Sequence, residues 1–241
     1  MTTVQDIAKM IDHSLLKPEL TEQEVREGCR IAKQYDVASV CVKPCDVKIA
    51  QEELQGTNVL VTTVIGFPHG SNLTQIKVLE AEEAIRDGAV ELDMVLNIGR
   101  LLSRRFDYVE QDIRAVVEIA HNHQVAVKVI LENCYLTDEL KEIASRLCEN
   151  AGADFIKTST GYGSGGATIP DLELMRRVTG PRVQIKAAGG VRTLDNALAI
   201  RAVGASRFGA TATIAILEGA KKRVVNGGVL QADKNALGKG Y

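Results

Sequence analysis

The sequence predicts an α/β fold, a (β/α)8 TIM barrel, on three observations. Short β-branched runs alternate with helical segments along the chain, and the connections are short. Gly-Ala recurs at 88–89, 152–153 and 204–205, each time between a helix end and a strand, where glycine suits the left-handed position. The length, 241 residues, suits one barrel as a single unit. An open doubly wound sheet is the alternative. It calls for a G-x-G-x-x-G after the first strand, and none is present.

The elements follow in order. Residues 3–10 read as a leading helix and 11–16 as a short strand ended by Lys17-Pro18. Thr21 and Glu24 make a capping-box pattern that opens a helix over 21–35. A strand at 39–43 stops at Pro44, and 45–55 is a helix. The run 59–65 is β-branched and apolar, a buried strand, and G-F-P-H-G at 66–70 is loop. A helix over 73–87 ends at Gly88, and 90–96 is the fourth strand. Phe106, Val109, Ile113, Val116, Val117 and Ala120 form one helical stripe. Then come strand 125–131, helix 138–150, strand 154–159, and helix 170–178 with proline at its start. Strand 183–187, helix 194–203, strand 206–209 and helix 214–225 complete the pattern. Residues 1–225 are read as the barrel domain and 226–241 as a flexible tail.

Composition excludes several classes. Net charge is -2, so no strong field argues for nucleic acid or membrane. Tryptophan is absent and aromatics are 4%, which offers little for stacking on bases. No uncharged apolar run approaches a membrane helix, and the N-terminus carries no signal-peptide pattern. Five cysteines without a C-x-x-C pair suit a reducing cytoplasmic compartment.

Period-two alternation sorts the strand residues into an outer and a lumenal face. Leu92, Met94 and Leu96 alternate with Glu91, Asp93 and Val95. Val125, Val127, Val129 and Leu131 alternate with Ala126, Lys128 and Ile130. The register sends Asp93, Lys128, Lys157, Lys186 and Cys41 into one lumen, with Asp12 placed to join them. Barrel interiors are normally filled by branched apolar residues. One reading of this group is a structural ion-pair network. The other is imine chemistry: stacked cations repel and lower a lysine pKa, and a neutral amine attacks a carbonyl. Spacing does not say which lysine attacks. Cys41 reads as a small core residue or as a reactive thiol.

Barrel enzymes often hold phosphate on the loops after strands seven and eight. Here those loops are G-G-V-R-T at 189–193 and G-A-T-A-T at 209–213, each running into a helix start. They are an anion site by geometry and dipole, or they only make tight turns. Strand six adds Gly161 and G-S-G-G at 163–166.

G-A-D-F-I-K-T-S-T-G at 152–161, K-A-A-G-G-V-R-T at 186–193, E-L-D-M-V at 91–95 and F-P-H-G at 67–70 resemble the deoxyribose-phosphate aldolase family in order and spacing, over about residues 8–225. The resemblance implies a class I aldolase (a lyase) with no metal and no cofactor. Its reaction would be the reversible cleavage of 2-deoxy-D-ribose 5-phosphate to acetaldehyde and D-glyceraldehyde 3-phosphate, in deoxyribonucleoside catabolism. By the same resemblance Lys157 forms the Schiff base, Lys186 lowers its pKa and assists proton transfer, and Asp93 moves protons with a held water. Asp12 would bind a substrate hydroxyl, and Gly189, Gly190, Gly209 and Thr211 the phosphate. Cys41, Lys128 and Gly161 complete the expected substrate-binding set. Family members often carry two serines after R-F-G-A; here Thr211 and Ala212 stand there, so one hydroxyl is lost. Some members end in a tyrosine that reaches the site, as Tyr241 would. The expected partners are a phosphosugar and further copies of the chain, as a dimer or tetramer.

Two other readings stand beside this one: a transaldolase-like Schiff-base barrel, and a silent phosphosugar-binding barrel. A metal-dependent aldolase needs several imidazoles at strand ends. Only His13, His69, His121 and His123 exist, and H-x-H at 121–123 reads as surface.

Overall fold

The computed structural model describes residues 2–232. Eight parallel strands pair in sequence order and close into a barrel: β1 (Ile11–Leu15), β2 (Ser39–Val42), β3 (Leu60–Ile65), β4 (Glu91–Val95), β5 (Ala126–Ile130), β6 (Phe155–Lys157), β7 (Gln184–Ala187) and β8 (Arg207–Ala210). Ten α-helices are described: α1 (Val4–Ala8), α2 (Glu22–Gln34), α3 (Val47–Leu54), α4 (Thr74–Arg86), α5 (Ile98–Leu102), α6 (Phe106–Asn122), α7 (Asp138–Asn150), α8 (Ile169–Val178), α9 (Leu194–Ala202) and α10 (Thr213–Val225). The chain is therefore the (β/α)8 barrel that the alternation predicts.

Local chemistry sets the helix boundaries. Thr21 and Glu24 cap α2 reciprocally, and threonines 137, 168 and 193 open α7, α8 and α9 by accepting a backbone N–H. Each such cap is worth about 1 kcal/mol. At the three Gly-Ala sites the glycines have φ of +109, +90 and +92. Their left-handed backbone turns the chain from helix back to strand at no Cβ penalty.

The main core lies between strands and helices. Val40, Val42, Leu92, Met94, Val127, Val129, Ile156, Ile185 and Phe208 point outward and pack under Val25, Val109, Ile113, Leu172, Leu198 and Ile216. Each fully buried aliphatic side chain stabilises this layer by roughly 1.5–3 kcal/mol. The lumenal face is chemically different, and polar side chains occupy its centre.

Four details differ from expectation. The helix Ile98–Leu102 had no sequence signal, because five residues are too few to show a period; Asn97 caps it through Arg100 N–H. The segment 45–55 splits into a 3-10 turn at Pro44–Asp46 and α3. Strand six ends at Lys157 rather than at 159. Leu230, inside the expected tail, is buried against the core. Tyr241 lies outside the described residues. Among those residues no helix is long and apolar enough to cross a membrane.

Candidate active site

Parallel register builds the lumenal cluster. Asp93 lies opposite Lys128, Lys157 opposite Lys186, Lys186 opposite Arg207, and Asp12 opposite Gly209. Partners in register point the same way, so alternate residues of six strands converge. Lys157 Nζ lies 2.7 Å from Asp93 Oδ2, and Lys186 Nζ lies 2.6 Å from the same oxygen. Lys186 also reaches Asp12 Oδ2 at 2.5 Å. Lys128 Nζ contacts Asp93 Oδ1 at 3.0 Å and Glu91 Oε2 at 2.6 Å. Arg207 contacts Asp12 Oδ1 and Glu91 Oε2, both at 2.8 Å.

These charges are buried, and burial decides the direction of each titration. Burial holds the Lys157 amine below the usual lysine range; Asp93 opposes this and Lys186 adds to it. Burial also works against the charge of Lys186, but Asp12 and Asp93 outweigh it and raise that lysine. Lys128 is raised in the same way, against burial, by Asp93 and Glu91. Burial would raise the Asp93 carboxyl, yet the three lysines hold it well below the usual carboxylate range. Repulsion by a neighbouring cation does lower Lys157, as expected, but it is not the leading cause. Burial leads, Lys186 only assists, and two of the three lysines move the other way because each has at least two carboxylate partners.

A cavity of about 450 Å³ opens above this cluster at the C-terminal end of the strands. Lys157, Lys186, Asp12 and Cys41 line its floor. Gly161, Gly189, Gly190, Gly209 and Thr211 line its wall. Asp93 lies just beneath, with no exposed surface, and meets the cavity only through its two lysines. Lys128, expected among the substrate-binding residues, is fully buried and does not line this cavity. It faces Phe155 in register, one lumenal layer before Lys157, and its Nζ sits 5.8 Å from the Phe155 ring. Burial, then Asp93, push the Cys41 thiol up to about 11, so at neutral pH it is a thiol and not a thiolate. No histidine lines the cavity; His13 points outward to Thr213 and His121 pairs with Asp154.

The sequence model for DeoC/LacD family aldolases matches residues 7–217. This chain belongs to the DeoC/LacD aldolase family. It is 50% identical over 222 residues to the deoxyribose-phosphate aldolase of Caldanaerobacter subterraneus subsp. tengcongensis, covering 92% of this chain and 96% of that one. It is 51% identical over 218 residues to the deoxyribose-phosphate aldolase of Thermococcus gammatolerans, covering 90% and 97%. A solved deoxyribose phosphate aldolase from Aeropyrum pernix, described as a unique tetramer, superposes with a TM-score of 0.85 at 30% identity, covering 92% and 93%.

In this aldolase several residues at the site escaped the sequence reading. Glu91 and Arg207 each lie two residues from an expected site position, Asp93 and Gly209, so period two was signal enough to include them. Glu132 gave none. It follows β5 in a left-handed conformation (φ 56), is 2% exposed, and accepts hydrogen bonds from the Thr160 N–H and hydroxyl. Burial raises its carboxyl, against the pull of Thr160. Thr160 in turn lines the cavity and accepts the Tyr162 N–H at 3.0 Å. Tyr162 spans the mouth: its hydroxyl donates to Leu16 O at 2.7 Å and its ring meets the edge of Phe67. Gly166 packs on the backbone of Gly189, where an added Cβ would lie 2.6 Å from the carbonyl. That glycine of the aldolase is required by close approach of two loops.

Proposed function

We propose that this aldolase reversibly cleaves 2-deoxy-D-ribose 5-phosphate to acetaldehyde and D-glyceraldehyde 3-phosphate through a Schiff base on Lys157. The observation that carries the reading is a buried amine with a lowered pKa opening on a phosphosugar-sized cavity. The names of the half-identical relatives support the same substrate.

The uncharged Lys157 amine attacks the C1 aldehyde, and loss of water gives an iminium. Asp93 Oδ2 lies between Lys157 and Lys186, so a proton leaving one ammonium has an acceptor and a second donor within one hydrogen bond. Removal of the C3 hydroxyl proton makes C3 a carbonyl and breaks C2–C3. The bonding pair moves to C1–C2 and neutralises the iminium as an enamine. D-Glyceraldehyde 3-phosphate leaves, and protonation at C2 and hydrolysis release acetaldehyde and restore the amine. Asp12 would accept from a sugar hydroxyl. The backbone N–H groups around Gly189, Gly190, Gly209 and Thr211, near the starts of α9 and α10, would hold the phosphate.

Five thiols, none paired in a disulfide, support a reducing, cytoplasmic setting. The Aeropyrum tetramer supports a homo-oligomer, which sedimentation velocity would size.

Borohydride added with acetaldehyde tests the chemistry. The expected product is a reduced two-carbon adduct on Lys157, located by peptide mass spectrometry. An unmodified Lys157 peptide rules the role out. Cleavage of ketose phosphates in preference to deoxyribose phosphate would instead favour a transaldolase-like enzyme.

A further inference from the structure

The ion pairs beneath the cavity close on themselves. Arg207 touches Asp12, Asp12 touches Lys186, Lys186 touches Asp93, Asp93 touches Lys128, Lys128 touches Glu91, and Glu91 returns to Arg207. The ring alternates in sign at every step and holds three cations and three carboxylates. Lys157 is not a member. It hangs from Asp93, whose two oxygens already have Lys128 and Lys186 as partners.

This arrangement explains an asymmetry that pairwise contacts leave open. Three lysines sit in one lumen, each beside Asp93, yet only one needs to lose its proton. Lys128 and Lys186 each bridge at least two carboxylates, Lys128 having Asp12 as a third at 3.9 Å; deprotonating either would leave buried anions short of a cation. Lys157 has one carboxylate, shared with two other ammoniums. It can give up its proton and leave the ring balanced.

We propose that Arg207 and Glu91, the two members that neither contact Asp93 nor line the cavity, are positioning residues that set the protonation of Lys157 through the charge balance of this ring. The inference rests on the Schiff-base reading above. Arg207 and Glu91 sit at the N-terminal end of β8 and β4, on the side of the lumen away from the cavity, and neither lines it. They act by the sign of their charge. Without the Arg207 guanidinium the ring carries an excess carboxylate, which favours the Lys157 ammonium. Without the Glu91 carboxylate it carries an excess cation, which favours the free amine.

The other groups around Lys157 do not supply this balance. β2 contributes the Cys41 thiol and β3 contributes Thr62, which donates to Glu91 at 2.8 Å. The loop after β5 contributes Glu132, which is engaged by Thr160. Asp12, Asp93, Lys128 and Lys186, from β1, β4, β5 and β7, are members of the ring itself. The movement of Lys128, Lys186 and Arg207 upward while Lys157 moves down accords with the same division.

The test compares the acid limb of kcat/KM against pH in the wild type and in Arg207→Gln, Arg207→Lys and Glu91→Gln. That limb reports the free-enzyme base, the Lys157 amine. Arg207→Gln is expected to move the limb upward and Glu91→Gln downward, each by roughly one pH unit, the size a unit charge gives across several ångströms of protein. Near the wild-type limb Arg207→Gln then loses about tenfold in rate and regains it at higher pH. Arg207→Lys keeps the charge and should keep the wild-type limb. The rate of acetaldehyde–cyanoborohydride trapping at Lys157 should follow the same shifts. Limbs that stay in place or move in the same direction, in variants with wild-type circular dichroism, overturn the proposal. So does Arg207→Lys behaving as Arg207→Gln. If Arg207→Gln does not fold, Glu91→Gln decides alone: a downward shift supports the proposal and a fixed limb ends it. Failure to trap Lys157 in the wild type overturns the Schiff-base reading itself, which these shifts do not probe.

Discussion

Two buried lysines with lowered pKa values stand on opposite sides of the barrel wall. Lys157 is in the lumen, 2.7 Å from Asp93. Lys77, on α4, lies between strands and helices, 2.6 Å from Asp112 and 2.9 Å from Val95 O. Burial leads the lowering of both, and a carboxylate opposes it in both. What separates them is what surrounds the amine. Lys77 is walled in by Gly66, whose missing side chain leaves room for its Cε, and by helix α6, which carries Asp112. Lys157 opens on a cavity and shares its carboxylate with two more ammoniums. A depressed lysine is thus not by itself a nucleophile. Access for an electrophile and a route for the proton distinguish the chemical site from the structural pair.

Replacing each lysine by methionine should separate the two sides most sharply. Lys157→Met is expected to lose cleavage by on the order of a thousandfold or more, since in the proposed mechanism Lys157 carries the iminium. Its folded state should survive, because the six-membered ring of charges below it remains paired. Lys77→Met should still give the borohydride adduct on Lys157, but it strands Asp112, which is 1% exposed. Breaking such a buried pair costs about 3–5 kcal/mol, read as a lowered midpoint in denaturant unfolding. A Lys77→Met protein that is stable yet inactive would erase the distinction.

The same wall marks where the sequence was legible. Strand positions followed from period two, because inward and outward residues alternate without a bulge. That alternation also carried Asp93, Lys157, Lys186, Asp12 and Cys41 to one lumen. Arg207 shares the inward face of Gly209, but the eighth strand is only four residues long and shows little alternation to mark that face. Glu91 stood on the right face but appeared only in the alternation, not in the charged set. Lys77 left no trace at all. On α4 the pattern is inverted, with Leu73, Ile76 and Leu79 exposed and Lys77 buried, so hydrophobicity pointed to the wrong face. Glu132 sits beyond the end of its strand in a left-handed conformation, where neither period applies. The location of a buried ion pair outside the lumen depends on which helix packs where, and that is tertiary information.

Adjacent residues of β1 offer a second test of the contrast. Asp12 faces inward; burial opposes its charge, but Lys186, Arg207 and Lys128 keep its carboxyl depressed. His13 faces outward, meets the Thr213 hydroxyl at 2.8 Å, and is lowered by burial to about 4. Inside the lumen a charge finds partners; outside it an imidazole stays neutral. The folded pKa of His13 is below its unfolded value of about 6.5, so the unfolded chain binds the extra proton first. The stability from His13 is therefore complete above pH ~6.5 and is lost as pH falls through about 4. The loss amounts to about 3 kcal/mol across that window. His13→Asn, which can retain a bond to Thr213, should flatten the pH dependence of unfolding free energy between those limits. An unchanged slope would assign the acid sensitivity to other groups.

The smallest expected effect lies at the rim, where the lumen meets solvent. Glu132 holds Thr160 through both its backbone N–H and its hydroxyl, so the hydroxyl proton is committed to the carboxylate. Tyr162 N–H takes one acceptor position of the same oxygen. What Thr160 has left to present to the cavity is acceptor character, suited to a substrate hydroxyl. Glu132→Gln keeps the shape but sets an amide NH2 against one of the two donors. Mispairing of that kind costs about 1–3 kcal/mol, measurable in a thermal melt. Because Thr160 engages both Glu132 oxygens and Lys157 is the smallest of the influences on that carboxyl, the variant should raise KM several-fold while the pH profile of kcat/KM keeps its acid limb. A shifted limb would move Glu132 to the lumenal side of the comparison, among the groups that set the charge on Lys157.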